Sequence, residues 1–265
     1  MRMWLGVALV VLAGSVEARQ DKKSAPVDAT QSESVKAALA ELRTALARGK
    51  SEERIAALEK AANTKDAGVV DAIAKALGDE DPKVQGAAIE ALRGLQRKEA
   101  LAALVGAFER DKKLAKDAEL AARLVKAIGS YGDAAAVEKL AAAGIDGAHG
   151  VVEARILSIA NVRSVRSVEL LVELARGAAD DKVGAHAETI RLALARLVGE
   201  DLGTARQRWL GFWSEQRKTL EVTAQAPLLP KDMQRRWDMF WGNPSDPGRA
   251  KPRGERGNDP EGKGP

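Results

Sequence analysis

DPKVQGAAIEALRGLQRKEALAALVGAFER, running from Asp81 to Arg110, reads as two amphipathic helices joined by a tight turn. Asp81 is suited to cap a helix, and Pro82 falls at the first helical position, where its missing N–H costs nothing. Val84, Ala87, Ala88, Ala91, Leu92 and Leu95 then recur at the spacing of one helical face. After a polar break at residues 96–98, Leu101, Leu104, Val105 and Phe108 form a second face with the same spacing. The unit is a helical hairpin.

The hairpin recurs along the chain. With Leu92 as reference, equivalent positions are Leu58, Ile128, Ile159 and Leu194, at intervals of 31 to 36 residues. The same offsets carry Leu104 onto Val70, Leu140 and Leu171, and Leu101 onto Ala67, Val137 and Val168. Both helices therefore keep register through four units. The last offset takes Leu104 to Arg206, so a fifth unit departs from the pattern, as terminal units of repeat arrays do.

The run Asp81, Pro82, Val84, Ala87, Ala88, Ala91, Leu92 resembles the first helix of a HEAT repeat, in particular the short bacterial kind. The resemblance covers about residues 51–217. At the position of Ala88 the other units carry Arg54, Leu124, Arg155 and Ile190, so single repeats depart from the small-residue pattern. The resemblance implies an all-α solenoid of about five HEAT-like hairpins (residues 33–220) with an N-terminal capping helix. It also implies a binding scaffold belonging to the exported bacterial, armadillo-like helical-repeat proteins.

Composition agrees with that class. Hydrophobic residues make up 45% of the 265 and aromatics 3%, so the core must be built from Ala, Leu, Val and Ile. Small side chains let helices approach closely. A formal charge of +4 could suggest nucleic acid, but residues 1–203 hold 30 basic and 30 acidic side chains. The excess lies in residues 204–256, with 11 basic and 6 acidic. A neutral repeat body does not present the basic face that nucleic acid requires.

Residues 1–18 read as a signal peptide: Arg2, an apolar run from Met3 to about Ala13, then Val16-Glu17-Ala18 before the cleavage point. The run is shorter than the roughly 20 residues of a stable membrane anchor. The expected location is periplasmic or secreted, with an uncleaved anchor as the alternative. There is no cysteine, which removes lipoprotein attachment, disulfides, thiol catalysis and thiolate metal sites. Residues 19–32 are polar and read as a disordered linker, and Glu33–Arg48, ended by Gly49, as the capping helix.

The fifth hairpin carries Trp209, Phe212 and Trp213 in a helix expected over about 204–219. Two of these rings are four residues apart and share a face, so they close the end of the stack. Residues 203–215 also resemble the tryptophan-rich endings of other exported bacterial HEAT proteins. Residues 221–241 form an aromatic and basic segment, with Arg235, Arg236, Trp237, Phe240 and Trp241 on or beside one helical face. Two readings stand for it: packing back on the last hairpin, or an exposed anchor for a partner or anionic lipid. Residues 242–265 mix Gly, Pro and charge and read as a disordered tail.

Catalytic constellations are scarce. His149 and His186 are the only histidines, and without cysteine a metal site would need carboxylates in special geometry. Gly144, Gly147 and Gly150 follow no strand, so they do not make a dinucleotide fingerprint. Ser130, Ser158 and Ser164 lie in no G-x-S-x-G context. No cofactor is expected. Glu169 and Glu173 share a helix face with Arg166 and Arg176, which is a solvated charge network by default. Because second helices of HEAT units typically line the concave face, the resemblance implies that Arg163, Arg166, Glu169, Glu173 and Arg176 would face a partner.

The expected function is a non-catalytic exported scaffold that binds another protein or peptide through its concave face, its C-terminal segment, or both. The alternatives are a HEAT-like lyase or accessory enzyme, resembling the phycobilin lyases, and a nucleic-acid or lipid-surface binder. Membrane contact is expected only through an uncleaved signal segment or the C-terminal segment.

Overall fold

The computed structural model describes residues 27–242. The signal peptide, most of the linker and the tail beyond Gly242 lie outside the described residues. Thirteen helices follow one another: α1 (Val27–Arg48), α2 (Ser51–Asn63), α3 (Val70–Lys75), α4 (Pro82–Leu95), α5 (Lys98–Arg110), α6 (Ala118–Gly129), α7 (Ala134–Ala142), α8 (His149–Asn161), α9 (Val165–Gly177), α10 (Asp180–Ala185), α11 (Ala187–Val198), α12 (Arg206–Gln216) and α13 (Lys231–Trp241). No strand occurs among the described residues.

The helices form two layers. First helices α2, α4, α6, α8 and α11 stack in that order, while second helices stack as α3 on α5 and as α7 on α9 on α12. This is an all-α solenoid of five hairpins, closed at its N-terminal end by α1, which packs on α2 and α3. The reference residues Leu58, Leu92, Ile128, Ile159 and Leu194 are each at most 1% exposed. Each apolar stripe is covered by the next unit, which is why no hairpin could bury its own face alone.

Local signals set the boundaries. Asp81, Asp117 and Asp133 each accept a hydrogen bond from a backbone N–H in the first turn of the helix that follows, and Pro82 stands at the first position of α4. Gly132 takes φ +64 between α6 and α7, a left-handed conformation that most residues avoid. Helices α6 and α8 approach closely, and a Cβ on Gly129 would lie 2.1 Å from Ser158 Oγ. Ser158 itself is buried and donates to Val125 O at 3.2 Å, a packing role rather than a nucleophile's.

Four boundaries differ from the sequence reading. Helix α1 begins at Val27, inside the segment read as linker, because residues 27–32 contain no Gly or Pro to stop a helix anchored by Ala38 and Leu42. Ala67 is exposed in a 3-10 turn, so the second helix of the first unit is shortened to α3. The fifth unit gains a short helix, α10, before α11. Its α12 spans 11 residues, less than the expected 204–219.

Both arginines at the small-residue position act as ties between units. Arg54 Nη1 lies 3.3 Å from Asp79 of the following loop. Arg155 donates from Nη1 to Gly144 O at 2.5 Å in the preceding loop. A long side chain reaches the loop that an alanine would leave unattached.

Candidate functional site

Helix α9 buries Val168, Leu171, Val172 and Ala175, and turns the opposite side to solvent. Ser164 caps it by accepting from Ser167 N at 3.1 Å. Arg166 lies on the open side, where its Nε and Nη2 grip the two carboxylate oxygens of Glu138 on α7 at 2.6 and 2.9 Å. Its Nη1 reaches Glu169 at 2.6 Å, and Glu173 at 3.8 Å. Hydrogen bonding to Arg166 holds the Glu138 carboxyl below the usual carboxylate range, and Glu138 and then Glu169 raise the guanidinium. All four side chains are about half exposed, so the cluster orients α7 against α9 more than it stabilises the fold.

Between α7 and α9 runs a groove of about 510 Å³. Its floor is apolar, from Ala141, Ile145, Leu170 and Leu174, and its rim carries Glu138, Glu173 and Asp146 against Arg166 and Lys182. Lys182 on α10 pairs with Asp146 of the 144–147 loop, which lowers the Asp146 carboxyl and raises the lysine. The groove is therefore rimmed by ion pairs with one carboxylate in excess.

Of the five concave-face candidates, Arg166, Glu169 and Glu173 are brought together. Arg176 is exposed on the same helix and does not line the groove. Arg163 is a correction: it precedes α9 and reaches the opposite way, donating to Arg196 O at 2.5 Å, Leu197 O at 3.3 Å and Thr223 O at 2.7 Å. It caps the last carbonyls of α11 and pins the 221–230 segment. Glu138, which completes the cluster, was missed although the repeat offset that joins Val137 to Val168 also joins Glu138 to Glu169.

The C-terminal set is also corrected. Helix α13 folds back across the first-helix layer, burying Met233 and Trp237. Arg196 of α11 sits over the Trp237 ring at 4.9 Å, and Lys126 of α6 over Phe240 at 5.1 Å. Burial draws the Lys126 ammonium down, with a smaller contribution from Arg93. Arg236 donates to Glu153 of α8 at 2.7 Å and to Thr189 Oγ1 of α11 at 2.6 Å. Phe240 touches both halves of the core, and Trp241 is partly buried against Trp237 and Phe240. Of the five residues named as an anchor, only Arg235 remains exposed. The rings face the solenoid because a short amphipathic helix buries its apolar side on the nearest apolar surface.

His149 and His186 stack on each other, ring centroids 4.6 Å apart and planes 18° off parallel. Burial, and then the His149 ring, hold His186 below the usual imidazole range, while Glu153 opposes them. Among the described residues no group of three or more His, Asp or Glu is placed to hold a metal ion, and no helix is long and apolar enough to cross a membrane.

Residues 39–120 match the family model described as HEAT repeats, a span from within α1 to the start of α6. A search of curated proteins returns no match to the chain. The hairpins α6–α7, α8–α9 and α11–α12 continue the matched stack through their first helices, and their second helices stack on one another. The fold is an all-α solenoid of HEAT-like hairpins.

Proposed function

We propose that the chain is a non-catalytic, exported helical-repeat scaffold that binds a partner protein along its second-helix face. HEAT repeats are commonly protein-interaction scaffolds, and the match over residues 39–120 supports that class here. The observation that carries the reading is the groove between α7 and α9, an apolar floor inside a rim of oriented charges. Its one excess carboxylate favours a partner segment that presents an apolar side chain beside a basic one. Such surfaces gain affinity by being preformed, so little ordering cost falls on binding. Export rests on residues 1–18 of the sequence.

The test is a crosslinking capture from the envelope fraction with the wild-type chain, the pair Glu173→Lys with Leu174→Asn, and Arg235→Glu as a surface control. A partner lost only with the groove variant, at unchanged melting temperature, supports the reading. Equal recovery by all three chains rejects the groove.

A further inference from the structure

A second cleft, of about 340 Å³, opens where the second-helix layer is interrupted between α5 and α7. Its walls are Phe108 of α5, Leu114 of a 3-10 turn, Val125 of α6 and Val151 of α8. Asp146 borders this cleft and the α7–α9 groove alike, but the two cavities are otherwise lined by different residues. Arg155 also lines it.

That arginine is only 5% exposed and has no carboxylate within ion-pair distance among the described residues. Its Nη1 is used on the carbonyls of Gly144 and Asp146. Among the described residues its Nε is buried with no partner, and none accepts from Nη2. The Nε and Nη2 edge is the one that matches the two oxygens of a carboxylate. Burial lowers the affinity of this guanidinium for the proton, and Asp146, outside ion-pair distance, offsets that only in part.

Ala148, the cap position of the 13-residue helix α8, and Val151 in its first turn also line this cleft. Alanine offers no side-chain acceptor, and the N–H groups of His149 and Gly150 have no partner among the described residues. Helix N-termini of this kind favour negative charge. The other charged groups on the walls are Lys116, exposed, and two aspartates. Asp111 is occupied by the backbone N–H groups of Lys113 and Leu114, and Asp146 is paired with Lys182.

We propose that this cleft binds a small apolar monocarboxylate, its chain against Phe108, Leu114, Val125 and Val151 and its carboxylate between Arg155 and the uncapped start of α8. The ligand class follows from the lining: one anion-matching guanidinium and an aliphatic wall in the same cleft. The proposal does not rest on partner binding in the α7–α9 groove.

The test is a two-dimensional NMR titration of the 15N-labelled chain with octanoate, and separately with octanol and octylammonium. Octanoate should give saturable shifts at the His149 and Gly150 amides and at Arg155 Nε–H. Octanol should bind at least about tenfold more weakly, because it offers the arginine no charge. Arg155→Met should weaken octanoate by a similar factor. Since Arg155 also holds the 144–147 loop, a second variant keeps the question open to refutation: Ala148→Asp places a carboxylate on the α8 N-terminus, and should raise the melting temperature while weakening octanoate. The proposal is overturned if octanoate gives no saturable shift, if octanol binds equally well, or if Ala148→Asp leaves octanoate affinity unchanged.

Discussion

The two ends of the solenoid are closed in different ways. At the N-terminal end, α1 covers the helices that follow it directly, and its contact is aliphatic, centred on the fully buried Leu42. At the C-terminal end the stack is closed by Trp209 and Trp213 of α12, and then by α13, which returns across α6, α8 and α11. One closure is local in sequence and the other is not. In a repeat array where each unit contacts only its neighbours, a local cap can open without disturbing distant units. A strap that touches three first helices couples them instead.

The contrast is broken most severely by Trp209→Ala. Its ring is buried and its Nε1–H donates to Gly203 O at 2.8 Å, so truncation should cost about 3–5 kcal/mol. Urea unfolding monitored by circular dichroism measures the cost, and amide hydrogen exchange should accelerate throughout α8, α9, α11 and α12 together. Exchange confined to α12 would show that the C-terminal end is no more coupled than the other. Leu42→Ala should cost about 2–4 kcal/mol and accelerate exchange in α1 and α2 only. Spread of that effect beyond α4 would erase the distinction.

Arg163→Met tests the strap's approach. It removes the donors to Arg196 O, Leu197 O and Thr223 O, at an expected cost of about 1–3 kcal/mol in the same urea assay, with faster exchange in residues 221–241.

A smaller, pH-dependent effect is expected at the histidine stack. The folded His186 binds its proton less readily than the unfolded side chain, whose ordinary value is 6.5. The unfolded state therefore takes up protons first as pH falls, and stability present above pH 6.5 is lost progressively below it. Melting temperature measured downward from pH 7.5 should begin to fall near 6.5 in the wild type, ahead of His186→Phe. Parallel profiles would exclude the stack as the cause. The groups facing His186 are His149 and Glu153 of α8, and Glu153 is already paired with Arg236 of α13. The smallest effect is expected for Glu119→Ala, which removes an exposed i,i+4 pair with Arg123, about 0.3–0.5 kcal/mol.

The stack was legible because its period is written in the residues that must be buried: Leu92 and its four equivalents all lie in the core. The same period was legible for Val70, Leu140 and Leu171 and failed at Ala67, a methyl group too small to hold a turn in the core. Of the candidate site, Arg166, Glu169 and Glu173 were readable as neighbours on one helix. Their partner Glu138 lies on another helix, and only the repeat offset connects it. Arg163 was misplaced because charge spacing says nothing about where a long side chain finds acceptors, and three carbonyls lay behind it. For α13, amphipathicity established that one side is apolar. That its surface is the first-helix layer depends on Glu153, Thr189, Arg196 and Lys126, which no local pattern joins.

The ion pair between Arg236 and Glu153 spans 83 residues, and Phe240 joins both halves of the core. A ribosome releases the chain from its N-terminus, and hairpins with only local contacts can settle as they emerge. The C-terminal half cannot, because α13 is made after every one of the helices it covers. During synthesis the apolar stripe that α13 will cover on α6, α8 and α11 stays open to other chains. The late arrival of one short helix thus sets the interval in which this protein is most exposed to misassociation.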